Sequence, residues 1–275
     1  MSGPTWRGDA PPEIRLRGAD WLRVGWRGLL LGGLVLLGLV LKLLLRLIER
    51  PLCGQSRPVT PWISQGVCRA AFVILGIPVT VSGPRMIGPG ALVANHSSWL
   101  DIFALNARRN VYFVSKAEVA NWPLIGWLAR ATGTVFITRD PRQAAEQKRI
   151  FEERLLHGHR LLFFPEGTST DGQRVLSFKS TLFAAFFSEH LKHELQVQAV
   201  TVIYHAPEGE DPRFYGWWGD MEFGPHLLKL LGARHRGRVE LIYHPPVRVD
   251  AHPNRKTLAA HLEAQVRAAH PSGGA

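Results

Sequence analysis

The chain has 275 residues, with 33 Lys and Arg against 22 Asp and Glu, a formal charge of +11, and only two cysteines, Cys53 and Cys68. That length holds one large domain or two small ones, and the charge calls for an anionic partner. The cysteines have neither metal nor redox spacing and build no disulfide framework. No basic helix interleaved with aromatics and no zinc-finger spacing occurs, so a membrane surface outranks nucleic acid as that partner.

Residues 1–60 carry nine basic and four acidic side chains around the most apolar part of the chain. Gly28 to Ile48 is that part: Leu29 to Leu41 is apolar apart from glycines, and Lys42 and Arg46 then interrupt a continuing leucine run. A bilayer takes about 20 apolar residues to cross, so the segment spans only if Lys42 and Arg46 snorkel. Both flanks are basic (Arg15, Arg17, Arg23, Arg27 before; Arg46, Arg50, Arg57 after), and the positive-inside rule chooses no orientation. A second apolar stretch, Cys68 to Val81, contains Arg69 and Pro78 and is too short to span comfortably. Two readings follow: one spanning helix, or a helical pair dipping into one leaflet with both ends cytoplasmic. The symmetric charge favours the pair. The late, long apolar run lacks a small-x-small cleavage site and does not read as a signal peptide.

From residue 91 onward short apolar runs alternate with helical patterns, the signature of an α/β fold with a mixed sheet flanked by helices. The expected strands are Ala91–Ala94, Val111–Val114, Thr134–Ile137, Arg160–Phe164, Val197–Tyr204 and Arg238–Tyr243. One helix is expected from Asp140, a good N-cap followed by Pro141, to Gly158; a last amphipathic helix is expected over Thr257–Ala269. The expected organisation is a basic, membrane-associated helical region over 1–82, an α/β domain over 83–270 and a disordered tail over 271–275.

The first strand runs into Asn95-His96-Ser97-Ser98-Trp99-Leu100-Asp101. On a regular helix positions five apart point about 140° away from each other, so His96 and Asp101 meet only if His96 lies outside the helix. With Ser98 as N-cap, Asp101 falls at the third helical position. There its carboxylate can hold one ring nitrogen of His96 and leave the other to act as a base. Arg139 follows the third strand and abuts a helix start, and Glu166 follows the fourth in Phe164-Pro165-Glu166-Gly167-Thr168. Ligands of α/β sheets gather at the carboxyl ends of strands, so these groups converge across separations of 43 and 27 residues. Lys116 after the second strand adds a cation, and Gly167 and Thr168 offer backbone N–H groups. The assembly reads as a base beside an anion-binding pocket at a membrane. His157, His159, His190 and His193 form no credible ligand set, and no metal or cofactor is expected.

Three blocks, Asn95-His96-x4-Asp101, Gly133-x-x-Phe136-Ile137-x-Arg139 and Phe164-Pro165-Glu166-Gly167-Thr168, resemble the glycerolipid acyltransferases typified by 1-acyl-glycerol-3-phosphate acyltransferase. Phe113–Glu118 and Trp122-Pro123-x-x-Gly126 look like family connectors, and the likeness covers roughly residues 75 to 205. It implies a membrane-bound enzyme moving a fatty acyl group from acyl-carrier protein or coenzyme A thioester to the free hydroxyl of 1-acyl-glycerol-3-phosphate (lysophosphatidate), giving phosphatidic acid. His96 would be the general base, Asp101 its orienter, Arg139 the phosphate ligand and Glu166 a group that binds or positions the acceptor. The implied location is the cytoplasmic face of a cell inner membrane. The chain departs from the family where Gln198-Ala199-Val200 replaces a proline-bearing motif, and where no glycine follows Lys179. The block Tyr215-Gly216-Trp217-Trp218-Gly219-Asp220-Met221, with Pro225-His226-Leu227, resembles a branch acting on lyso-ornithine lipid, which makes that lipid the alternative acceptor. A catalytically silent lipid-binding protein is the non-enzyme alternative.

Overall fold

In the computed structural model, residues 6–9, 11, 16–88, 90–138, 142 and 144–274 are described. Helix α1 (Gly18–Cys53) is 36 residues long and is long and apolar enough, by length and composition, to cross a membrane. Helix α2 (Thr60–Leu75) folds back against it. The pair is joined by polar contacts that the leucine run conceals. The Glu49 carboxylate accepts Val59 N at 2.8 Å, Thr60 N at 3.2 Å and Thr60 Oγ1 at 2.6 Å, so α1 caps the start of α2. Lys42 donates to Ser64, and Gly38 lets the backbones approach: a Cβ there would sit 2.3 Å from Val67 Cγ2.

The N-terminal half of α1 docks on α6 (Phe223–Gly232). Arg27 donates to Leu231 O at 2.6 Å and Ala233 O at 2.9 Å, and Arg23 Nε to Gly232 O at 2.8 Å. These guanidiniums occupy the negative end of α6, where unpaired carbonyls attract cations. Thus α1 lies against protein in both halves, while Leu22, Leu29, Leu37, Leu44 and Leu47 on its outer side are exposed.

The remaining helices are α3 (Leu100–Arg108), α4 (Ile125–Thr132), α5 (Ala144–Leu156) and α7 (Arg255–Ala269). The strands are β1 (Val79–Ser82), β2 (Gly90–Ala94), β3 (Tyr112–Lys116), β4 (Val135–Ile137), β5 (Leu161–Phe163), β6 (Gln196–His205), β7 (Arg238–Tyr243) and β8 (Val247–Arg248). They form one mixed sheet in the order β1-β7-β6-β2-β5-β3-β4, with β8 on β6. Strands β6, β2, β5, β3 and β4 run parallel, so their carboxyl ends share one edge. Both faces are covered, which explains the unbroken apolar runs. Leu92, Ala94 and Leu162 pack on the side of α2, α3 and α6, whereas Ala91, Val93 and Phe163 pack on the side of α5 and α7.

Two expectations are corrected, and a third falls on residues that are not described. Val79–Ser82, assigned to the membrane-associated region, is an edge strand of the sheet, pairing in parallel with β7. Four residues with a half-buried alternation give too little pattern to read. The tail forms a 3-10 turn over Pro271–Gly274, with Ser272 bonded through both its hydroxyl and its N–H to His270 Nδ1. Asp140 and Pro141, the expected start of α5, lie outside the described residues. Gln198, which stands where the family motif carries proline, is fully buried: its amide accepts Met86 N and donates to Pro84 O and His244 O.

Glu49→Ala removes the cap of α2 and leaves two backbone donors to find water. It is expected to cost about 1–2 kcal/mol, measured as a lower Tm of the micelle-solubilised protein, with activity at low temperature retained.

Candidate active site

Asn95 fixes the turn that leaves β2. Its side chain is fully buried, donating to Val202 O at 2.9 Å and accepting Val202 N at 2.8 Å, so the turn is tied to β6. His96 comes next, outside the helix. Helix α3 starts at Leu100, one residue later than a Ser98 cap predicts, and Asp101 is its second residue. The predicted meeting occurs: His96 Nδ1 lies 2.7 Å from Asp101 Oδ2. The same oxygen accepts Ser97 N at 2.8 Å and Ser98 N at 3.1 Å, and Oδ1 accepts the Tyr204 hydroxyl at 2.6 Å. A carboxyl taking donors on both oxygens is an acceptor, so His96 carries its proton on Nδ1 and presents an Nε2 lone pair. The ring stacks on Phe164, with centroids 4.0 Å apart and planes within 10°. About a fifth of the His96 side chain is exposed, whereas Asp101 is wholly buried.

Tyr204 belongs to this candidate site without being singled out by the sequence. It stands near the end of β6, and only the register of β6 on β2 brings it to Asp101. Burial, with the Asp101 charge next to it, pushes its phenol well above the usual range, so it stays a donor.

Glu166, expected to bind or position the acceptor, is buried against the backbone of the candidate site. It is 1% exposed; Oε2 accepts His96 N at 3.4 Å and Oε1 accepts Leu176 N at 3.2 Å. It braces the backbone of the base from beneath. Burial raises its pKa well above the usual carboxylate range, against the pull of those two N–H groups. Gly167 is also placed differently: its N–H donates to Phe164 O at 3.0 Å and is not free for an oxyanion. It sits at φ +72°, and a Cβ there would come 3.0 Å from Lys179 Nζ, a cation above this loop that the reading did not single out. The Thr168 hydroxyl accepts Trp6 N at 3.2 Å, so the N-terminal segment crosses this loop. Lys116 ends β3 half-buried, opposite Ile137 of β4, on the same sheet edge as His96. Arg139, two residues beyond Ile137, lies outside the described residues. The Tyr215–Met221 block reaches the site directly, since Trp217 N donates to Ser97 O at 2.8 Å. Among the described residues no three His, Cys, Asp or Glu are grouped to hold a metal ion.

The fold and site define a membrane-associated α/β enzyme whose oriented histidine can take a proton at the carboxyl edge of the sheet. Comparison with known proteins narrows that class. The model of the Acyltransferase family matches residues 78–217. A lyso-ornithine lipid O-acyltransferase of Rhodobacter capsulatus is 56% identical over 270 residues, 97% of each chain. A 1-acyl-sn-glycerol-3-phosphate acyltransferase of Neisseria gonorrhoeae is 37% identical over 145 residues, 52% of this chain and 55% of its own. The crystal structure of the 1-acyl-sn-glycerophosphate acyltransferase PlsC of Thermotoga maritima shares the fold. Its TM-score is 0.57 at 21% identity, covering 90% of this chain and 98% of that one. The chain belongs to the acyltransferase family and is an O-acyltransferase.

Two outcomes test the geometry. Asp101→Asn should lower kcat about 10²–10⁴-fold, and Tyr204→Phe, which removes one donor, about tenfold, both read as initial rates on protein of native circular dichroism. The second concerns pH. The folded state holds the Glu166 proton more tightly than the unfolded chain, so stability from this group is full at acid pH and falls as pH rises through its elevated pKa. Denaturant titrations across pH should show that decline in the wild type and a flatter profile in Glu166→Gln.

Proposed function

We propose that this protein is a lyso-ornithine lipid O-acyltransferase, which esterifies the free hydroxyl of lyso-ornithine lipid with a fatty acyl group from an acyl-carrier protein or coenzyme A thioester. The observation that carries this reading is the 56% identity along 97% of both chains with the Rhodobacter capsulatus enzyme of that name. The docking of the Tyr215–Met221 block on Ser97 supports it, because residues resembling that branch then stand beside the base. This displaces lysophosphatidate as the leading acceptor. A second reading keeps lysophosphatidate on the strength of the Neisseria relative, with Lys116 and Arg139 at the phosphate.

The chemistry is a direct transfer. His96 Nε2 takes the proton of the acceptor hydroxyl as its oxygen attacks the thioester carbonyl, and Asp101 holds the imidazolium that forms. The tetrahedral adduct collapses with cleavage of the C–S bond, and the sulfur leaves with the proton returned by His96. An ester and a free thiol result. An intact, oriented His96–Asp101 pair disfavours a silent lipid-binding protein.

The α1–α2 pair would lie in one leaflet of the cell inner membrane with both ends cytoplasmic. The capping of α2 by Glu49 of α1 and the docking of α1 on α6 support this, since neither half of α1 stands clear of the protein. The basic excess suits an acidic carrier protein or coenzyme A as donor and anionic lipids as surroundings.

Thiol release by the purified protein in micelles should be seen with lyso-ornithine lipid and fall about 10²–10⁴-fold in His96→Ala. Turnover with lysophosphatidate alone would instead establish the second reading. No turnover with either lipid, from folded protein, would favour the silent one.

A further inference from the structure

From the connection after β3 into the first turn of α4 the chain carries three large apolar side chains that the His96–Asp101 geometry does not use. Trp122 is 42% exposed, Leu124 76% and Trp127 50%. Leu124 is also the one non-glycine residue with positive φ among those described. Its φ of +60° and ψ of −50°, with Ile125 N donating to Pro123 O at 2.6 Å, make a tight γ-turn, a rare and strained conformation for a leucine. The turn is firmly seated: Gly126 N donates to Trp122 O at 2.9 Å, and a Cβ on Gly126 would come 2.1 Å from Ala120 O. A water-facing turn of this shape favours glycine or asparagine. Here it holds a leucine in the open between two tryptophans.

The neighbours of this turn identify what covers it. Helix α4 packs against α1, so the turn opens a helix that is seated on the membrane-span candidate. Tryptophan is enriched at the boundary between headgroups and acyl chains, and exposed Arg130 on α4 adds a cation suited to anionic headgroups. On its other side Trp122 meets Trp217 edge to face, with centroids 6.3 Å apart, and Trp217 is bonded to Ser97 next to the base. The segment therefore stands between the membrane helix and the catalytic turn.

We propose that Trp122–Trp127 is a second membrane contact, separate from the α1–α2 pair. It seats Leu124 and its flanking tryptophans at the headgroup boundary and brings the bilayer to the sheet edge that carries His96. A lysolipid then reaches the base by lateral movement without leaving the interface. The inference does not depend on which headgroup the acceptor bears.

The test uses the full chain in vesicles of phosphatidylcholine and phosphatidylglycerol, with Cys53→Ser as background because Cys68 is buried. Single cysteines at Leu124, at Leu37 on α1 and at Lys256 at the exposed start of α7 are labelled with an environment-sensitive fluorophore. The Leu124 label should match the Leu37 label in shielding from aqueous iodide and be quenched by lipids spin-labelled near the headgroup, whereas the Lys256 label should show neither. Iodide access at Leu124 equal to that at Lys256 would overturn the proposal. So would shielding without lipid quenching, which would mean a protein partner or a second copy covers the turn. Leu124→Asp should remain on vesicles through α1. Its KM for lysolipid in vesicles should rise about tenfold, as expected for losing one buried leucine, with its KM for a short-chain monomeric acceptor unchanged. An unchanged KM in vesicles would also count against the proposal.

Discussion

The buried carboxylate of Asp101 is the constraint around which the site is organised. A charge without solvent must be met by donors, and here four meet it: His96 Nδ1, the N–H groups of Ser97 and Ser98, and the Tyr204 hydroxyl. The four donors serve three structural tasks. The two amides shape the turn into α3, the phenol binds that turn to β6, and the ring nitrogen sets the tautomer of the base. The interaction that orients His96 is therefore also the one that joins strand, turn and helix. The second buried carboxyl, Glu166, works the other way: its environment favours the protonated form, and it serves by bracing the His96 backbone. Two acids within one site hold different roles because one is surrounded by donors and the other is chiefly desolvated.

What the residues reveal in advance follows from how local the cause is. Strands buried on both faces read as continuous apolar runs, so β2 to β7 were legible to within two residues at each end. Strands β1 and β8 were not, because four and two residues that are at most half-buried give no apolar signal. The start of α2 was hidden for another reason: its cap is the Glu49 side chain, eleven positions earlier and on a different helix. The His96–Asp101 pair was legible because a helix start lies between them and fixes their approach. Tyr204 was not, since it lies 103 positions from Asp101 and only strand register brings the two together. The bonds of Glu166 to the His96 and Leu176 backbone were not legible either, because a motif does not state which way its carboxyl is buried.

The same distinction applies to charge. A net +11 suggests a surface that attracts anions, yet several cations of the N-terminal region are spent within the fold. Arg23 and Arg27 close the end of α6, Lys42 bonds Ser64, and Arg46 holds Glu49 together with the carbonyls of Gly54 and Ser56. Symmetric basic flanks around an apolar helix thus report its docking onto the protein as much as its relation to lipid headgroups. A helix tied by its own arginines to α6 and by its own glutamate to α2 has fewer ways to sit in a bilayer than one free at both ends. Its orientation relative to the sheet is set by protein contacts, and the sheet in turn sets the height of His96 above whatever surface the exposed leucines enter. The edge that carries His96 and the face of exposed leucines are therefore positioned by one framework, so that whatever that face enters meets the domain at a fixed distance from the His96 ring.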